Sequence, residues 1–193
     1  YIRYRVSDGS ELTAFQVTPD TPYRSAVIVI HEIFGITEFI KNVARRLAGL
    51  GYLAVAPNLY SRRADVLTEQ NIANVMRRFW SLPPERRADP NAINELMSTL
   101  SPTEREVVQE LVINRETTEE RMVRDIVDTY NYVKSTHNVE RMGIIGFCMG
   151  GGLAFEASTR VPFDASVIYY GRNPKNINDV AKIRGAILAI YAG

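Results

Sequence analysis

Short apolar runs alternate with stretches of helical period along this chain, and the alternation predicts its architecture. Ile2 to Val6 and Leu12 to Val17 are β-prone segments on either side of Ser7-Asp8-Gly9-Ser10, a turn-forming cluster. Together they predict an antiparallel hairpin that covers one sheet edge. Pro19 and Pro22 then break the chain before Ser25-Ala26-Val27-Ile28-Val29-Ile30, an unbroken apolar run of the kind buried on both faces in a parallel sheet. That strand is expected to be central. It ends in His31-Glu32-Ile33-Phe34-Gly35, and a helix is predicted from about Glu38 to Leu50, with Phe39, Val43, Leu47 and Leu50 near helical spacing and Gly51 as its stop. Tyr52 to Ala56 predicts the next strand, closed by Pro57. Strand, helix and strand in that order indicate a right-handed βαβ unit in a parallel sheet.

From Asp65 to about Glu120 the rhythm changes to polar, helix-prone sequence broken by Pro83-Pro84 and Asp89-Pro90. Ser101-Pro102-Thr103-Glu104 marks a helix start, with Ser101 as N-cap, Pro102 at the first helical position and Glu104 in the reciprocal capping role. The stretch predicts helices packed over one side of the sheet, either a partial lid or an insertion with no part in chemistry. A longer helix, Glu119 to Thr136, places Met122, Ile126, Tyr130 and Val133 on one face and leads into the apolar run Met142, Ile144 and Ile145. After Gly146-Phe147-Cys148-Met149-Gly150, a helix runs on through Leu153 to Thr159, and Ala165 to Tyr170 and Ala186 to Ala192 predict two more buried strands. No repeat or linker divides the chain, so residues 1–193 read as a single α/β domain with a helical insertion at about 65–120.

Composition narrows the function classes. A chain of 193 residues with 46% apolar content can bury a substantial core. Its 23 basic and 22 acidic side chains leave a net charge of +1, which gives no field to attract nucleic acid or an anionic membrane. Small-molecule chemistry is the default that remains. No apolar run reaches about 18 residues, and Tyr1-Ile2-Arg3-Tyr4-Arg5 lacks the apolar core of a signal peptide, so a soluble, cytoplasmic protein is expected. The single cysteine excludes an internal disulfide and agrees with a reducing setting. No cluster has metal-ligand spacing, and the glycines at 146, 150, 151 and 152 form no phosphate loop because no Lys-Ser or Lys-Thr follows. No metal or cofactor is therefore expected, and the sequence sets no oligomeric state.

The candidate chemistry lies in Gly146-Phe147-Cys148-Met149-Gly150, a buried strand, a tight turn carrying the lone cysteine, and the start of a helix. Such a turn lifts the side chain clear of the sheet and aims the free N–H groups of the next helix at it. Glycines at 146 and 150 leave room for the close backbone crossing. The positive end of the helix dipole favours thiolate over thiol. This is the pattern of a nucleophile elbow.

The order of elements resembles the α/β-hydrolase fold, a mostly parallel central sheet with flanking helices. More specifically, the chain resembles the dienelactone hydrolase family in His31-Glu32-Ile33-Phe34-Gly35, Ala56-Pro57-Asn58-Leu59-Tyr60, Gly146-Phe147-Cys148-Met149-Gly150-Gly151 and Tyr169-Tyr170-Gly171. The resemblance implies that Cys148 is the nucleophile that attacks a lactone or ester carbonyl to give an acyl-enzyme. It implies that the backbone N–H groups of Ile33 and Met149 hold the oxyanion, and that Glu32 lies near the resting thiol and helps to generate thiolate when substrate displaces it. His31 falls in the oxyanion loop, so it reads as a shaping residue whose ring ties that loop down. His137, between a helix end and the elbow strand, falls on the opposite rim in a surface or capping role. Family members hold a substrate carboxylate with arginines, and Arg62, Arg63, Arg77 and Arg78 are the candidates in the loop and helix after the second central strand.

Two departures from the family pattern stand out. Asn58 occupies a position where relatives usually carry aspartate. A triad also needs an acid and then a histidine after the strand at 186–192, and neither is present in the chain. An unfinished fold would expose the far edge of the last strand, so the expectation is a C-terminally incomplete part of a longer enzyme rather than a complete, catalytically crippled one. The alternatives to a lactone or ester hydrolase are a thioesterase or acyltransferase on the same fold, and a non-catalytic binding protein.

Overall fold

Seven strands form one sheet in the computed structural model, which describes residues 1–191: β1 (Ile2–Arg5), β2 (Glu11–Val17), β3 (Ser25–Ile30), β4 (Leu53–Pro57), β5 (Arg141–Phe147), β6 (Ala165–Tyr169) and β7 (Ala186–Ile190). The helices are α1 (Glu38–Gly49), α2 (Glu69–Ser81), α3 (Pro90–Ser98), α4 (Pro102–Val108), α5 (Arg115–Thr136) and α6 (Met149–Ser158). The strand order is β1-β2-β4-β3-β5-β6-β7, with β1 antiparallel to β2, β2 antiparallel to β4, and every later pair parallel. The apolar run 25–30 is thus the middle strand, as its two-sided hydrophobicity predicts. Ile30 pairs with Gly146 and Phe147 with Tyr169, so β3, β5 and β6 deliver residues 31, 148 and 170 side by side at one sheet edge.

The chain divides into two units, of which the first comprises residues 1–62 and 120 onward and contains the sheet. Val29, Ile40, Ala56 and Phe147 form a buried cluster in it, with Val43, Leu47 and Ile145 packed around them. The buried stripe of α1 is Ile40, Ala44 and Ala48; of the predicted line, Val43 and Leu47 pack partly buried against the core while Phe39 and Leu50 turn outward. The two alanines let the helix approach the sheet closely, which rotates Phe39 outward to 47% exposure and Leu50 to 74%. Phe39 instead meets the Phe147 ring edge to face at 5.0 Å. Strand β7 is not the buried strand its composition predicts: every one of its residues is exposed, Leu188 to 56%, and among the described residues it pairs with β6 alone, which agrees with the uncovered far edge expected of the last strand. The end of the predicted strand, Ala192, lies outside the described residues, as does Gly193.

The second unit, Arg63–Glu119, is helical. Its helices begin where capping chemistry places them. The Thr68 hydroxyl accepts from the Asn71 N–H at 3.2 Å, Asp89 accepts from Asn91 N–H at 3.0 Å, and Ser101 and Glu104 form a reciprocal capping box. Ile72, Val75 and Met76 of α2, Ile93 and Leu96 of α3, and Val107 and Val108 of α4 are among its buried apolar residues. Arg63 pairs with Glu106 and Glu110 within this unit.

Candidate active site

Cys148 joins β5 to α6 with φ 53° and ψ −117°, a left-handed backbone rarely adopted by a residue with a Cβ. Such a conformation costs on the order of 1–3 kcal/mol and persists only where its surroundings impose it. Here the Cys148 N–H donates to Tyr169 O at 3.0 Å and its carbonyl accepts from Gly152 N–H at 3.2 Å, the first bond of α6. Two glycines make the turn sterically feasible. A Cβ on Gly146 would lie 2.1 Å from Gly150 O, and one on Gly150 would lie 2.3 Å from His31 O. The outcome is an exposed thiol at the N-terminus of a helix, where the dipole favours negative charge.

The loop after β3 is held by two buried rings. His31 is fully buried; its Nδ1–H donates to Glu32 O at 2.7 Å, and its Nε2 accepts the Leu59 N–H at 3.2 Å. Those two bonds define one neutral tautomer, and burial pushes the imidazole pKa down to about 4, against the smaller opposing pull of the Glu32 carbonyl. Tyr60, 4.9 Å away ring to ring, donates its hydroxyl to Ile33 O at 2.7 Å, and the same hydroxyl lies 3.9 Å from Met149 Sδ. Burial, and then the Cys148 charge, raise the Tyr60 pKa beyond the tyrosine range, so the phenol stays a donor. One side chain therefore bridges the loop carrying Ile33 and the first turn of α6. Sequence reading left Tyr60 without a role, since nothing in a Leu-Tyr pair after a strand says where the hydroxyl points.

Ile33 lies outside every helix and strand, and its N–H donates to no backbone carbonyl among the described residues. The Met149 N–H lies in the first turn of α6, where no intrahelical acceptor exists. Tyr170 completes the neighbourhood. Its φ of 41° makes it the other non-glycine residue with positive φ among the described residues, it is 50% exposed, and its N–H donates to Ile190 O at 2.7 Å. Its phenol pKa is raised by partial burial first and then by the charges of Glu32 and Cys148, so both groups lie within electrostatic reach of one ring.

Comparison with known proteins decides the family. A model described as "Dienelactone hydrolase family" matches residues 12–193. The chain belongs to the dienelactone hydrolase family. It is 50% identical over 187 residues to a Saccharolobus solfataricus protein named "Putative carboxymethylenebutenolidase", covering 97% of this chain and 72% of that one. It is 31% identical over 175 residues to "Carboxymethylenebutenolidase 1" of Cupriavidus pinatubonensis, covering 86% of this chain and 62% of that one. A crystal structure from Klebsiella pneumoniae, described as a "Putative Dienelactone Hydrolase", superposes with a TM-score of 0.60 at 26% identity, over 97% of this chain and 71% of that one. The fold is the α/β-hydrolase fold, and the chain spans between 62% and 72% of the length of these relatives.

The remaining candidates of this family member fall elsewhere. Arg62 is held by Asp125 at 2.5 and 2.9 Å and by Asp8 at 2.8 Å, with Asp125 almost wholly buried. Arg63 is paired inside the helical unit, Arg77 is exposed, and Arg78 donates to Thr99 O at 3.1 Å. Asn58 caps its own turn, its Oδ1 accepting the Tyr60 N–H at 3.1 Å, which an amide oxygen does as well as a carboxylate. His137 bonds the Tyr23 hydroxyl through Nδ1 at 3.0 Å, just before the start of β3 and so at the opposite sheet edge from Cys148. Two apolar grooves of about 440 and 490 Å³ lie over β5 and β6 beside Leu47 of α1, and their lining includes neither Cys148 nor Glu32. Among the described residues, no group of His, Cys, Asp and Glu could hold a metal, and no helix is long and apolar enough to cross a membrane.

Proposed function

We propose that this chain carries the nucleophilic part of a hydrolase that opens a lactone or carboxylic ester through an acyl-cysteine. One observation carries the reading: an exposed thiol sits on a strained strand-to-helix turn with φ 53°, next to a loop and a helix start whose N–H groups have no backbone acceptor among the described residues. The names of the relatives point to the same class, since carboxymethylenebutenolidases are lactone hydrolases.

In this reading the Cys148 thiolate attacks the carbonyl carbon, and the carbonyl π pair moves onto oxygen to form a tetrahedral oxyanion. The N–H groups of Ile33 and Met149 receive that charge; losing one such donor typically costs about 3–4 kcal/mol of transition-state stabilisation. Collapse of the intermediate breaks the carbon–oxygen bond and expels the alkoxide, which in a lactone stays tethered to the acyl group. Water then adds to the thioester and releases the carboxylate and the thiol. Glu32 lies near the resting thiol and helps to generate thiolate when substrate displaces it. The triad acid and histidine are assigned to the length of the relatives that this chain does not span, because His31 has both ring nitrogens engaged and His137 lies at the other sheet edge. The substrate is a small molecule, and the chemistry requires only water as co-reactant.

The test is acylation by 4-nitrophenyl acetate, followed by mass analysis of the peptide bearing residue 148. Nitrophenolate release with an acyl group on Cys148, lost after alkylation and in Cys148→Ala, is the expected result. Release that survives complete alkylation defeats the assignment.

A further inference from the structure

The Glu32–Ile33 peptide is gripped from one side. Its carbonyl oxygen accepts the His31 Nδ1–H at 2.7 Å and the Gly35 N–H at 3.1 Å. No cis peptide occurs among the described residues, and in a planar trans peptide the C=O and N–H point in opposite directions. Whatever fixes the Glu32 carbonyl therefore also fixes where the Ile33 N–H points, which is away from the buried ring. The next peptide is gripped in the same manner, because the Tyr60 hydroxyl donates to Ile33 O at 2.7 Å. The rings are anchored in turn, His31 by the Leu59 N–H at 3.2 Å on Nε2 and Tyr60 by its contact with His31.

We propose that His31 is the positioning residue of the oxyanion site: its Nδ1–H holds the Glu32 carbonyl inward and so aims the Ile33 N–H at the reacting carbonyl oxygen, with Tyr60 holding the following peptide. The inference rests on the hydrolase reading of Cys148. His31 touches no substrate and moves no proton, because its one lone pair is spent on Leu59. Its neutral tautomer is the sole form that accepts from Leu59 while donating to Glu32, so the aim of the N–H depends on ring chemistry as well as ring size. Glutamine can supply both an N–H and a carbonyl oxygen at this position, whereas alanine supplies neither.

The distinguishing readout sets two reactions of the same thiol against each other. Acylation by 4-nitrophenyl acetate passes through an oxyanion, whereas alkylation by iodoacetamide displaces iodide at a saturated carbon and forms none. His31→Ala is expected to slow acylation about 100-fold, the loss typical of one oxyanion donor, with alkylation of Cys148 within twofold of wild type. His31→Gln is expected to recover at least tenfold of the acylation rate. Parallel loss of acylation and alkylation, or loss of neither, overturns the proposal. Should His31→Ala fail to fold, Tyr60→Phe is expected to show the same selective loss at about tenfold. A crystal structure of His31→Gln or Tyr60→Phe gives an arm independent of activity. The Glu32–Ile33 peptide is expected in its wild-type orientation in His31→Gln, and the Ile33–Phe34 peptide displaced in Tyr60→Phe; an unmoved peptide in Tyr60→Phe overturns the grip. Wild-type protein that alkylates at Cys148 but never acylates defeats the hydrolase reading instead, and the crystallographic arm still decides the peptide orientation.

Discussion

Gly150 and His31 meet backbone to backbone: a Cβ on Gly150 would stand 2.3 Å from the His31 carbonyl oxygen and 2.6 Å from that of Ile30. The first turn of α6 can therefore lie against the end of β3 only with hydrogen at position 150. That contact brings the thiol-bearing turn and the loop carrying Glu32 and Ile33 together.

Gly150→Ala is accordingly expected to be severely destabilising. Both near atoms are backbone, at the end of β3 and in the residue after it, rather than the far end of a flexible side chain, so the cost should reach about 3 kcal/mol, at the upper end for overpacking. Gly49→Ala is the control. Nothing lies within 4 Å of its Cβ position and its φ is unexceptional, so alanine there should stabilise α1 by about 0.5–1 kcal/mol. Urea unfolding of both variants checks the contrast.

His31 makes folding sensitive to acid. Its pKa falls from 6.5 when exposed to about 4 in the fold, so between those values the unfolded chain binds more protons than the native one. Stability from this group is complete above the unfolded value and is lost as pH falls through the window. Between pH 7 and pH 5, wild type should lose about 2 kcal/mol more than His31→Gln, a figure that follows from 1.36 kcal/mol per pKa unit. His137 is retained in both proteins and cancels. Equal slopes in the two proteins would contradict a buried neutral imidazole.

Arg62 is expected to behave as a structural cation rather than a substrate clamp. Its guanidinium holds Asp125, whose side chain is 2% exposed and whose pKa burial raises despite the arginine. Removing one partner of a buried pair leaves the other charge stranded, so Arg62→Ala should cost about 3 kcal/mol. Replacing both, as Arg62→Met with Asp125→Leu, should recover most of it. An Arg62→Ala protein of unchanged stability that fails to bind a small carboxylate would return Arg62 to the substrate.

Glu32→Gln should quicken alkylation of Cys148 by iodoacetamide severalfold at neutral pH. Both groups act on the Tyr170 phenol, and removing a like charge favours the thiolate. An unaltered rate would separate Glu32 from control of the thiol.

Much of this was legible in the residues. The two-sided apolar run at 25–30 reads as a central strand, and Ser101-Pro102-Thr103-Glu104 reads as a helix start, because both follow from local chemistry that tertiary context did not override. The stripe on α1 was misread by one position, since Phe39 and Leu50 outweigh Ala44 and Ala48 in hydrophobicity while the alanines win on closeness of approach. The composition of Ala186 to Ile190 describes a buried strand, whereas its place at the sheet edge among the described residues leaves it uncovered, as the exposed far edge expected of the last strand requires.

By itself the sequence determined the order of strands and helices, the turn that carries Cys148 and the loop that carries Glu32 and Ile33, because spacing, glycine and proline act over a few residues. The tertiary structure alone decided what those segments do to each other. It joined Tyr60 to Ile33, spent both nitrogens of His31 on backbone groups, and committed Arg62 to Asp125. Each of these is a hydrogen bond or ion pair between residues whose direction depends on how the sheet brings distant segments together, and no local pattern encodes that direction.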